Sequence, residues 1–128
     1  MNNLKIKTFT DLKTWQEGHK LVIMIYKTTK MFPKEETYSI TDQMRRAATS
    51  VTSNVAEGFG RQYYKEKIQF YYLAQGSLTE LKNQIIIAKD VEYLSEKDFL
   101  SLVEQANFTH QLLQGLLKKS KSFLNLKS

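Results

Sequence analysis

The 128-residue sequence predicts an all-α fold: an up-down antiparallel four-helix bundle that assembles as a ring-like homo-oligomer. Three observations predict it. Apolar residues recur at spacings of three and four along four segments, and nothing alternates with the period of two expected of a strand. The chain holds one proline and five glycines, which leaves room only for short connections between helices. Two of the segments carry apolar residues around more of their circumference than one bundle core can bury.

The first segment spans about 12–31. Thr10 or Asp11 is placed to cap it, because either side chain can accept an N–H from the first turn. Pro33 stops it, since proline disfavours the helical conformation in the residue before it. Leu12, Trp15, Val22 and Tyr26, with His19 among them, define an inner face. The second segment spans about 40–57. Ser39 and Asp42 have capping-box spacing. Its stripe is Ile40, Met44, Ala47 or Ala48, Val51 and Val55, and Gly58 stands where a helix often ends in a left-handed residue. The third segment, about 62–94, has no good cap at its start. Tyr71, Ala74, Leu78, Leu81, Ile85 and Ala88 give it a knobs-into-holes seam. The fourth, about 96–121, begins after Ser95, with Asp98 completing a capping box. Phe99, Val103, Ala106, His110, Leu113 and Leu117 keep the spacing, and the tail beyond Lys121 is expected to fray.

Hydrophobic residues make up 41% and charged residues 25%, the balance of a soluble globular protein, so 1–128 reads as one domain. There is no cysteine, hence no disulfide, zinc-thiolate site or thiol nucleophile. The N-terminus has no apolar core like that of a signal peptide. The longest apolar run, LVIMIY at 21–26, has six residues, against the roughly 20 that a membrane helix needs. The expected location is cytoplasmic, without membrane contact.

Those six apolar residues cover the whole circumference of a helix, so Ile23 and Met24 point away from Val22 and Tyr26. In the third segment, Ile85, Ile86 and Ile87 cannot share one face, and Phe70, Leu73, Ile87 and Val91 form a second stripe. Exposing this surface would make a sticky monomer. The expected solution is self-association, with Ile23, Met24, Phe70, Leu73, Ile86 and Ile87 at the contact. In the second segment, Ala47, Ala48, Ser50, Ser53 and Ala56 leave little bulk, so another helix can come close. Asn54 and Glu57 flank that stripe and form, with Glu80, an expected structural polar network. Arg45, Arg46 or Arg61 would supply partners.

Net charge is +6 and uneven. Residues 1–34 hold seven lysines against Asp11 and Glu17, residues 35–94 are nearly balanced, and residues 95–128 carry a small basic excess. Basic ends attract polyanions. Lys13, Lys20, Lys27 and Lys34 are spaced by seven, nearly one line along a helix, and Lys30 can extend the patch. Such a stripe can follow phosphates by charge alone, or it is an ordinary solvated face. The three arginines, Arg45, Arg46 and Arg61, present a planar fork that suits phosphate or carboxylate. They are candidate phosphate contacts, or structural partners of Asp42, Glu57 and Glu80. The aromatics of YYKEKIQFYY, 63–72, could stack on bases. Packing is the better reading of that cluster, with Tyr63 and Tyr64 its remaining candidates for stacking.

No metal or cofactor is expected. A di-iron bundle needs Glu-x-x-His on two helices, and the residues preceding His19 and His110 by three are Gln16 and Asn107. GFGR at 58–61 lacks the length and the Lys-Ser/Thr of a phosphate loop. No nucleophile stands in a recognisable catalytic arrangement, and the chain is not expected to be an enzyme.

FTDLKTW (9–15), IYKTT (25–29), FPKEETYSITDQMRRAATSVTSNVAEGFGR (32–61) and AQGSLTEL (74–81) resemble one bacterial family. It is the four-helix-bundle family first noticed in intervening sequences of large-subunit ribosomal RNA genes, which includes the accessory variability proteins of diversity-generating retroelements. The likeness covers nearly all of 9–118. One departure is Gly18, where the family usually has alanine, at a cost to the helix of about 1 kcal/mol. The resemblance implies a homopentameric barrel with a basic surface that binds RNA or DNA without evident sequence specificity. In the retroelement branch it implies a reverse transcriptase partner. The expected function is a non-enzymatic oligomeric scaffold that binds nucleic acid. The alternative is a protein-binding adaptor or structural oligomer without nucleic-acid contact.

Overall fold

The computed structural model describes residues 5–127, with side chains through Leu124. Helices α1 (Lys13–Thr29), α2 (Ile40–Gly60), α3 (Tyr64–Asp90) and α4 (Glu96–Lys127) account for most of it, and no strand occurs among the described residues. Each helix packs on its neighbours in sequence, and α1 packs on α4 to close the set. The diagonal pairs do not approach one another.

The seam expected in α3 is the core. Tyr71, Ala74, Leu78, Leu81, Ile85 and Ala88 are all buried, and they meet Met44, Ala47, Ala48, Val51 and Val55 of α2. From α4, Leu102, Ala106, Thr109, Leu113 and Leu117 complete it. On α1 the inner face is Leu21, Val22 and Ile25, while Tyr26 and His19 are exposed. Tyr26 was expected inside. The buried position one residue earlier goes to Ile25, so Tyr26 lies at the outer edge, beneath Arg45 (guanidinium carbon 4.8 Å from the ring centre).

Several helix ends differ from expectation for local reasons. Thr8 and Asp11 form a capping box, but it belongs to a 3-10 turn at Phe9–Asp11, so α1 starts after Leu12 without a side-chain cap. Ser39 does not cap α2. Its hydroxyl turns back to the carboxylate and carbonyl of Glu36 instead. Ser95 accepts the Asp98 N–H at 3.1 Å, as expected. α4 continues past Lys121 to Lys127, with the Phe123 ring tilted against Tyr64 at 5.0 Å and Ser120 buried.

α3 ends four residues earlier than expected. Tyr93 N–H donates to Ala88 C=O and Glu92 N–H to Lys89 C=O, each at 2.9 Å. This is the Schellman pattern, and Glu92 occupies its left-handed position (φ 67°). Beyond it, buried Leu94 anchors the connection to α4.

Gly58 does not end α2, and no glycine among the described residues has positive φ. A Cβ on Gly58 would stand 2.7 Å from Cε1 of Tyr71 and 3.0 Å from Cβ of Phe70, so the residue is the hole that receives the Tyr71 ring. Gly18 has a similar explanation. A Cβ there would meet Thr52 Cγ2 of α2 at 3.1 Å, so its absence lets α1 settle against α2 and α4.

Candidate functional site

The lysine line on α1 is partly neutralised. Glu17 is buried between Lys13 and Lys20, whose ammonium groups lie 3.6 and 3.4 Å from its carboxylate. The side-chain amide of Gln105 on α4 donates to the same carboxylate at 3.0 Å. That hydrogen bond first, then the Lys20 and Lys13 charges, hold the Glu17 carboxyl below the usual carboxylate range. Lys27, Lys30 and Lys34 are exposed, with Lys34 beyond the helix in the turn Lys34–Glu36.

The arginines are occupied within the chain. Arg45 Nε donates to Thr29 Oγ1 at 2.9 Å while its guanidinium covers Tyr26. Arg46 pairs with Asp42 at 2.8 Å. Arg61 pairs with Glu57 at 3.0 Å and lies over the Phe70 ring at 4.7 Å. The expected polar network forms only in part. Asn54 donates to the Ser50 carbonyl at 2.9 Å, and Ser50 bonds Ser77 of α3 at 2.8 Å. Glu57 pairs with Arg61, one of the arginines expected to partner it, whereas Glu80 is exposed and apart, because α3 turns it toward solvent.

The residues expected at a subunit contact divide. Leu73 (57% exposed), Ile86 (50%), Ile87 (42%) and Ile23 (41%) face outward. Met24 is half-buried and packs on the main core, and Phe70 is half-buried beneath Arg61. Gly76 sits in the middle of the outer face of α3, where a Cβ would meet nothing within 4 Å.

Sequence reasoning missed a groove between α3 and α4. One reach of it, about 270 Å³, is lined by Lys82, Asn107, His110, Gln111 and Gln114. The next, about 260 Å³, is lined by Tyr72, Gln75, Gln114, Leu117, Lys118 and Lys121. No carboxylate lines either reach. At one end, Lys121 lies over the Tyr72 ring at 4.7 Å. At the other, Lys82 and Asn107 also border an apolar recess of about 210 Å³ formed by Ile85, Ile86, Phe99, Val103 and Ala106.

Within the groove, Lys82 Nζ lies 2.7 Å from His110 Nδ1. An ammonium can only donate, so the imidazole accepts and is neutral, with its proton on Nε2. The Gln75 side-chain amide stands 3.3 Å from that nitrogen, and with its oxygen turned to the ring it accepts the Nε2 proton. Burial first, and the Lys82 charge second, push His110 below the ordinary histidine range, and burial lowers Lys82 as well. The spacing of α3 held the clue to this groove. Lys82 lies seven residues after Gln75, on the flank of the core seam that faces α4.

Among the described residues no cluster of His, Asp or Glu has metal-binding geometry, and no helix is long and apolar enough to cross a membrane. The family model described as 23S rRNA-intervening sequence protein matches residues 10–115. No curated protein matches the chain. Among solved structures, the chain is similar to a protein of unknown function from the S23 ribosomal protein family of Bacteroides thetaiotaomicron. Identity is 18%, the TM-score is 0.76, and the match covers 82% of this chain and 98% of that one. At that identity the likeness shows the fold.

Proposed function

The chain belongs to the 23S rRNA-intervening sequence protein family, and from that premise we propose that it is a non-enzymatic, self-associating scaffold that binds nucleic acid through a basic surface with little sequence specificity. The observation that carries the reading is the carboxylate-free groove between α3 and α4. Three lysines, Lys82, Lys118 and Lys121, line it beside side-chain amides and the exposed Tyr72 ring. Such a surface follows a phosphate backbone by charge and offers a face for base stacking, and neither contact reads sequence. Lys27, Lys30 and Lys34 extend the positive field on another side, whereas Lys13 and Lys20 share Glu17 and contribute less. The helices run as an up-down antiparallel bundle, and copies meet through the outer face of α3 around Leu73, Gly76 and Ile87, with Ile23 of α1 adding to it. The assembly in this reading is a homopentamer in the cytoplasm, with RNA or DNA bound and a reverse transcriptase as the protein partner.

A protein-binding adaptor is the second reading. Leu100 and Phe108, exposed on α4, favour it. Binding of a labelled single-stranded oligonucleotide across a salt series separates the two. The scaffold reading predicts a linear fall of log affinity with log salt, of slope near −0.7 for each phosphate contacted. Absence of binding at low salt would reject it and leave the adaptor.

A further inference from the structure

Resting on the nucleic-acid reading above, we propose that Lys82 and His110 form a proton-linked phosphate seat in the α3/α4 groove, taking one phosphate of the bound strand between the Lys82 ammonium and the His110 ring.

The free protein holds these two groups at 2.7 Å, an ammonium donating to a neutral imidazole. Neither has an ion-pair partner among the described residues, since Lys82 and His110 appear in none of the salt bridges. A half-buried ammonium without a counter-charge carries an unreturned desolvation cost. The charged group facing the ring is Lys82 from α3, and the neighbours of His110 in the groove on α4, Asn107, Gln111 and Gln114, are uncharged. With only a positive charge at hand, a proton on His110 is disfavoured. A phosphate reverses that balance. It takes the Lys82 N–H now given to Nδ1, and Nδ1 is freed to accept a proton. His110 then becomes a second cationic donor to the phosphate, with the amides of Asn107, Gln111 and Gln114 within the same reach.

Binding therefore takes up a proton, and affinity rises as pH falls through the histidine range. At constant ionic strength the wild type gains roughly tenfold in oligonucleotide affinity between pH 8 and pH 6 from one linked proton. His110→Gln, which keeps a neutral hydrogen-bonding side chain, gains nothing over that interval. The direct test uses inorganic pyrophosphate and the ring resonances of the wild-type protein, so that no variant need fold. Pyrophosphate should shift the His110 resonances and raise the pH at which that ring titrates. The resonances of His19, stacked on Trp15 on α1 and away from the groove, should not shift on adding it. Unmoved His110 resonances would overturn the seat. An oligonucleotide bound with a steep salt dependence but the same pH response in His110→Gln would also overturn it, while the functional reading stood. A pyrophosphate response without oligonucleotide binding would keep an anion seat and remove the nucleic-acid reading.

Discussion

Glu92 is the one described residue other than glycine with positive φ. Its N–H and that of Tyr93 close α3 onto Lys89 and Ala88. The left-handed region brings Cβ against the following carbonyl and costs an L-residue roughly 1–2 kcal/mol. Nothing in the fold needs the exposed Glu92 side chain, so Glu92→Gly keeps the turn and relieves the crowding. The gain is partly offset by the greater freedom of glycine in the unfolded chain. A net stabilisation of about 1 kcal/mol is expected in urea unfolding, and a loss of stability would mean that the carboxylate makes an interaction of its own. The same turn explains a difference between sequence and structure. Periodicity alone carried α3 to Leu94, because Val91 and Leu94 extend the apolar spacing. The backbone reversal at Glu92 carries no composition signal when glycine is absent.

At the scale of the helix, the inner stripes were legible because burial repeats every three or four residues whatever the partner, as in the run from Tyr71 to Ala88. Caps were less legible. Ser39 and Asp42 have the right spacing, yet Ser39 binds Glu36 and Asp42 binds Arg46, since nearby partners compete for the same side chains. Glycines were misread for a related reason. The hole for the Tyr71 ring at Gly58 is a property of two helices, and the sequence of one does not display it. Gly58→Ala should therefore destabilise by about 1–3 kcal/mol through overpacking. Gly115, in α4, has open space around it, so Gly115→Ala should stabilise by about 1 kcal/mol through helix propensity. Thermal melts of the two variants check the pair, and equal signs would contradict the packing account.

At the scale of the whole molecule, apolar surface remains after the core is formed. Ile23 lies outside on α1, Leu73 and Ile87 lie outside along α3, and Val91 follows at its C-terminal cap. The sequence made the excess visible, since triple isoleucine cannot share a face. It did not separate Met24, which reaches back to the core, from Ile23, which does not, because one rotation step decides between them. Nor did it display the α3/α4 groove, whose residues come from two different helices and acquire a common environment only when those helices pack. The lysines of α1 were legible as a line but not as partners of Glu17, which lies on the flank between them. The most direct test of the assembly is light scattering of the wild type beside Ile87→Asp, which places a carboxylate on the outer face of α3 without touching the core. We predict a wild-type mass that is a multiple of the 15.0 kDa chain, falling toward a single chain in the variant. A wild type that stays at one chain mass at high concentration would contradict the account.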